Sequence, residues 1–203
     1  MKGLLIKDLI NLKKQGIVIG AILIFYMFFS VINQDSAFLI TISVLLCTML
    51  PITSLAFDEQ AKWDRYALSL PISRKKLVLS KYVLGILLNL GTLAVLSIIT
   101  LVLHLQSDDP IWLIILAAGG VGLLILSLLL PIMFRFGVEK GRLVMIAVFI
   151  IPTILIFMSP YLNYTLPTEQ SVIRLLYASP FVIAAILWLS ISLSVRIYTK
   201  KEF

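Results

Sequence analysis

Cysteine and histidine occur once each, as Cys47 and His104, and this scarcity excludes several kinds of chemistry. One cysteine forms no internal disulfide, and one histidine with one cysteine does not supply a His/Cys metal cage. No His-Glu-x-x-His segment is present, and no sequence feature sets a serine against His104 as a hydrolase would need. A Gly-x-x-x-x-Gly-Lys-Ser/Thr loop is also missing, so the chain does not cradle nucleotide phosphates in the P-loop manner. Charged residues are only 13% of the sequence against 61% hydrophobic, with a mean hydropathy of +1.09. That is more apolar surface than a soluble core can hide in 203 residues.

The bilayer is therefore the expected solvent, and missing strand-like alternation points to helices rather than a barrel. A hydrocarbon core of roughly 30 Å needs about 20 apolar residues per helix. The apolar runs predict six spans, at 17–32, 37–57, 77–105, 111–134, 143–161 and 175–195, in a single transmembrane domain over 1–203. Outer connections fall at 33–36, 106–110 and 162–174, and no cleavable leader is expected at the amino terminus.

Cations set the orientation. Sixteen of the seventeen lysines and arginines lie in four clusters: Lys2 to Lys14, Lys62 to Lys81, Arg135 to Arg142 and Arg196 to Lys201, with only Arg174 elsewhere. Each cluster precedes the first span or follows an even-numbered one, which predicts a multi-pass protein of the cytoplasmic membrane with both termini inside. The net charge of +7 is thus assigned to topology and to contact with anionic membrane lipid, not to nucleic acid.

Two segments on the inner side carry more pattern than retention requires. In 1–16, Leu5, Ile6, Leu9, Ile10 and Leu12 share a face opposite Lys7, Asp8, Asn11 and Lys14, predicting an interfacial amphipathic helix jointed to the first span at Gln15 and Gly16. In 58–76, Trp63, Tyr66, Ala67 and Leu70 recur at helical spacing. Pro71 ends that helix, and Ser73 is placed to cap the next one, with Ile72 and Leu77 as a hydrophobic staple. On physical grounds the stretch is either an ordinary loop in the interfacial aromatic belt or a docking helix for a cytoplasmic partner.

The order Phe57-Asp58-Glu59, Trp63, Tyr66, Ser69-Leu70-Pro71-Ile72-Ser73-Arg74-Lys75 and Ser80-Lys81-Tyr82 resembles small six-span permeases of the ABC-2 exporter superfamily. It is most like bacterial permeases from exporters of antimicrobial peptides and phenol-soluble modulins. The detailed match spans residues 57–82. The resemblance implies a permease that pairs with a second copy or paralogue and with cytoplasmic ABC ATPase subunits, which bind ATP and Mg. It also implies that the loop after the second span carries the coupling helix, here 58–70. Asp58, Glu59, Lys62, Trp63, Arg65, Tyr66 and Leu70 are the expected coupling residues; no catalytic residue, cofactor or metal is expected in this chain.

No charged residue sits near the centre of any predicted span, which disfavours ion-driven transport. Asn89 in the third span is expected to bond a neighbouring helix, and His104 to be structural or interfacial. Ser43, Cys47, Pro51 and Ser54 form a small-residue seam in the second span that suits either close packing or a pathway lining, and Gly119, Gly120 and Gly122 carry the same ambiguity. The expected function is the permease of an ATP-driven exporter of amphipathic or hydrophobic cargo, peptide toxins or antimicrobial peptides first. The alternatives are a non-transporting membrane scaffold or immunity protein, and an intramembrane hydrolase using His104.

Overall fold

The computed structural model describes residues 2–69, 72–103, 110–158 and 169–200, and among these the regular elements are all helices. In order they are α1 (Lys2–Asn33), α2 (Ser36–Thr48), α3 (Leu50–Gln60), α4 (Trp63–Ser69), α5 (Arg74–Val102), α6 (Ile111–Phe136), α7 (Val138–Met158) and α8 (Glu169–Lys200). Five segments are long and apolar enough to cross a membrane: Lys2–Asn33, Ser36–Gln60, Arg74–Val102, Ile111–Phe136 and Leu176–Lys200. The remaining predicted span, 143–161, coincides with α7 up to Met158, and its last three residues lie outside the described ones. His104 and residues 162–168 of the expected third outer connection also lie outside them.

The second span is two helices, not one. Met49 adopts φ −76° and ψ −19° between α2 and α3, and Pro51 occupies the first turn of α3, where its missing N–H costs nothing. Ser43 and Thr48 donate to the carbonyls of Leu39 and Val44 at 2.6 and 2.7 Å, so both hydroxyls are satisfied inside their own helix. Ser43, Cys47, Pro51 and Ser54 are all buried, so this seam is a packing surface in this state.

Helix α6 is central, packing on α8, α2, α5 and α7, while α1 lies against α2, α3 and α5. Close approach rests on small residues: a Cβ on Gly85 of α5 would come within 2.6 Å of Leu126 on α6. Gly122 of α6 faces Val44 and Thr48 of α2 and Asn89 of α5, and a Cβ there would collide with the Asn89 amide.

The amino terminus departs from its expected form. Helix α1 runs unbroken through Gln15 and Gly16, so no joint separates an interfacial piece from a span. The buried line is Leu4, Asp8 and Leu12, while Ile6, Leu9 and Ile10 are exposed. A purely hydrophobic reading put Asp8 outward. Its carboxylate turns inward because two lysines meet it there, and Coulomb attraction in a low-dielectric setting outweighs the amphipathic preference.

Candidate functional site at the cation-rich end

The cation clusters come together at one end of the bundle, where charged side chains are buried. Lys81 of α5 uses all three ammonium donors: Asp8 Oδ1 of α1 at 2.9 Å, Ser54 Oγ at 2.8 Å and Asp58 Oδ2 at 2.5 Å, the last two from α3. Lys7 reaches Asp58 Oδ1 at 2.5 Å and Asp8 Oδ1 at 3.2 Å, and its ammonium sits 4.4 Å from the centre of the Trp63 ring. Side chains of Lys81 and Asp8 are only 6% and 1% exposed. Two cations and two anions cancel, which makes such burial tolerable.

Short helix α4 hangs on this cluster. Asp58 and Glu59 lie in the last turns of α3 rather than on the short helix, as the sequence pattern had suggested. The break is Lys62, held at φ 51°, with backbone bonds from Ala61 to Phe57 and from Lys62 to Glu59 closing the helix end. Helix α4 then presents two faces. Trp63 is half-buried and Ala67 fully buried against Leu4, Leu77 and Phe134. Tyr66, expected on the same stripe, is 67% exposed, and Lys62 is exposed beside it. The side chain of Arg65 and the whole of Leu70 lie outside the described residues.

Three further bonds tie this region to the rest of the bundle. Tyr198 of α8 donates its phenol to Asp64 Oδ1 at 2.7 Å. Arg74, at the start of α5, donates to the Thr199 carbonyl at 2.8 Å, near the end of α8. Glu59 Oε2 accepts the Val138 N–H at 2.7 Å, so a carboxylate from α3 sits at the amino terminus of α7. Gly137 makes that approach possible: its φ is 82°, and a Cβ there would lie 2.6 Å from Glu59 Oε1.

Ser73 occupies the N-cap of α5 as expected, but its side chain makes no cap bond; its carbonyl accepts from Lys76 and Leu77 instead. Ile72 and Leu77 share one apolar cluster, as a staple requires. Deeper in, Tyr82 is fully buried, with its hydroxyl 2.6 Å from Ser190 Oγ and 2.8 Å from Ser194 Oγ. Ser190 donates to the Ser127 carbonyl at 2.6 Å, so the Tyr82 phenol donates to Ser190. This chain of hydroxyls joins α5, α8 and α6.

Of the expected coupling residues, Asp58, Glu59 and Trp63 thus hold other helices of this chain, whereas Lys62 and Tyr66 face outward. Lys7, Asp8, Lys81 and Tyr198 complete the cluster and were not singled out as site residues. One signal was available: Ser80, Lys81 and Tyr82, part of the motif that carried the family resemblance, are all buried although they stand at the mouth of a basic loop.

Among the described residues, orphaned polar atoms mark Ser36 Oγ at the start of α2 and two further places. Asp8 Oδ2 and Trp63 Nε1 have no hydrogen-bond partner, and both residues line one small cavity of about 10 Å³ beside Lys7, Lys81 and Tyr198. That is room for about one water molecule between a donor and an acceptor. The second place is Asn89, where neither carboxamide atom is bonded; the expected bond to a neighbouring helix is not made. Among the described residues no group of His, Cys, Asp or Glu is arranged to hold a metal ion.

No curated protein and no solved structure is significantly similar to the chain. A family profile described as ABC-2 family transporter protein matches residues 3–199, which includes every helix described above except Lys2 at the start of α1 and Lys200 at the end of α8. With that match over nearly its whole length and, among the described residues, five helical segments fit to span a membrane, this chain belongs to the ABC-2 family of transporters and is a multi-pass membrane permease.

Proposed function

We propose that this chain is the permease subunit of an ATP-driven exporter in the cytoplasmic membrane, with its cation-rich end and both termini in the cytoplasm. Separate ABC ATPase subunits bind ATP and Mg, and a second copy or paralogue of the permease completes the pathway. Cargo is amphipathic or hydrophobic, with peptide toxins and antimicrobial peptides the first candidates. The observation that carries this reading is the two-faced helix α4, with Tyr66 and the preceding Lys62 outward and Trp63, Asp64 and Ala67 held inward.

Such a helix is a lever. An ATPase seated on Tyr66 and Lys62 moves α4 as the two ATPases close on nucleotide. Asp58 passes that displacement to α1 and α5 through Lys7 and Lys81, Glu59 passes it to α7, and Asp64 passes it to α8 through Tyr198. Arg65 and Leu70 complete the contact segment by their sequence position. Transport follows if the pathway holds cargo with different affinity in the two states.

The test is disulfide crosslinking from Tyr66→Cys and Lys62→Cys to single cysteines around the cleft of the ATPase encoded in the neighbouring reading frame. Crosslinks that form and block cargo-stimulated ATP hydrolysis are expected. An assembly that exports cargo while neither position ever crosslinks to the ATPase would refute the proposed contact.

A further inference from the structure

Asn89 lies at the sixteenth position of the 29-residue helix α5, about 12 Å along the axis from Lys81 at ~1.5 Å per residue, and so near the middle of the bilayer. It is 2% exposed and has no hydrogen-bond partner at either carboxamide atom. Its side chain is held in place by two glycines of α6. A Cβ on Gly122 would strike Nδ2, and one on Gly119 would lie 3.7 Å from Oδ1.

Gly119 and Asn89 both line a groove of about 460 Å³ between α5, α6 and α8, whose other walls include Leu93, Leu116, Ile183 and Ala184. That volume is within the range of small-molecule sites, and its lining is apolar except for Asn89, Ser179 and the indole N–H of the exposed Trp112. Ser179 is already bonded to the Leu176 carbonyl at 2.7 Å, and Asn89 is the buried polar side chain of this lining without a partner. A carboxamide turns end for end about its last torsion, so it can offer the groove either an acceptor or a donor.

We infer that this groove binds an apolar chain interrupted by an amide, whose N–H donates to Asn89 Oδ1, the carboxamide atom beside the groove residue Gly119. This deepens the export reading above and rests on it for the role of the site, though not for its existence. A resident phospholipid does not meet the requirement. Its ester and headgroup atoms lie roughly 15 Å from the midplane of a 30 Å hydrocarbon core, so it would bring only hydrocarbon to Asn89. An acylated or apolar peptide carries an amide within its apolar length and does meet it. The match of one amide to another also explains why the unpaired polar group at this depth is Asn89 and not an ionisable residue, whose burial at this depth is costlier.

The experiment uses the purified full-length permease in nanodiscs of phosphatidylethanolamine and phosphatidylglycerol, without ATPase. The probe is N-palmitoyl-photoleucine methyl ester, whose single amide joins acyl chain and residue, compared with its ester isostere, in which oxygen replaces that N–H. Saturable photolabelling of α5, α6 and α8 around the groove is expected, about tenfold weaker for the ester isostere and for Asn89→Leu. Ala184→Phe, which fills the groove from α8 and leaves Asn89 unchanged, should abolish labelling while the protein stays monodisperse.

Equal labelling by amide and ester, or labelling elsewhere that ignores both substitutions, would overturn the site. If Asn89→Leu does not fold, the amide to ester comparison on the unmodified protein decides alone. Because no ATPase is present, a loss of the crosslinks proposed for Tyr66 leaves this result standing, and a failure here leaves the coupling contact standing.

Discussion

Polar groups are buried at two levels of this bundle and are treated in opposite ways. At the cation-rich end Lys81, Asp8 and Asp58 sit inside together, and every donor of Lys81 is used. Near mid-depth Asn89 is buried with neither amide atom bonded, pressed against glycines that leave it no other place. The first arrangement is a joint: charges from three helices neutralise one another, and moving one strains the others. The second is a site, because an unmade hydrogen bond costs about 1–3 kcal/mol that a bound partner can recover. In the export cycle proposed above, the first would carry force and the second would meet cargo.

The largest effect should come from Lys81→Met. It leaves Asp8 and Asp58 buried with only Lys7 between them, and losing one member of a buried ion cluster costs about 3–5 kcal/mol. A strongly lowered unfolding midpoint in detergent is expected. A midpoint within a degree of the parent would mean the cluster is not the joint described here. Gly137→Ala should follow, at about 1–3 kcal/mol, because an L residue at φ 82° and ψ 168° is strained and its Cβ meets Glu59. Glu59→Gln in the same background should restore little of that loss, since the backbone strain remains.

Smaller effects separate the outward face from the inward one. Tyr198→Phe removes the bond to Asp64 and should cost about 1 kcal/mol with α4 otherwise kept, measured by thermal unfolding. Tyr66→Ala should leave the unfolding midpoint unchanged while lowering cargo-stimulated ATP hydrolysis several-fold in a reconstituted complex. Trp63→Ala should lower both, because its ring packs inside and carries the Lys7 contact. If Tyr66→Ala destabilised the permease as much as Trp63→Ala, the division of α4 into two faces would be wrong.

Much of the fold was legible in the sequence, and the failures share one cause. Apolar runs located five segments fit to span a membrane, the sixth predicted span at 143–161 not being among them, and Pro71 and Ser73 located the end of α4 and the start of α5 within a residue or two. Asp8, by contrast, was assigned outward and Asn89 was expected to be bonded. Both errors come from reading a helix face by polarity alone. A polar side chain faces inward when partners or glycine gaps await it on other helices, and those partners lie 73 residues away for Asp8 at Lys81, 51 and 23 for Asp58 at Lys7 and Lys81, and 33 for Asn89 at Gly122. No local window contains that information.

What the sequence determined by itself was the helical membrane bundle, the cation-rich end and the family, because these follow from hydrophobic length, charge asymmetry and a contiguous motif over 57–82. The tertiary structure alone decided which charges are joined, which face of α4 is free and which amide is left unpaired. Ion pairs and close glycine contacts depend on distances between helices, and such distances exist only once the chain has packed.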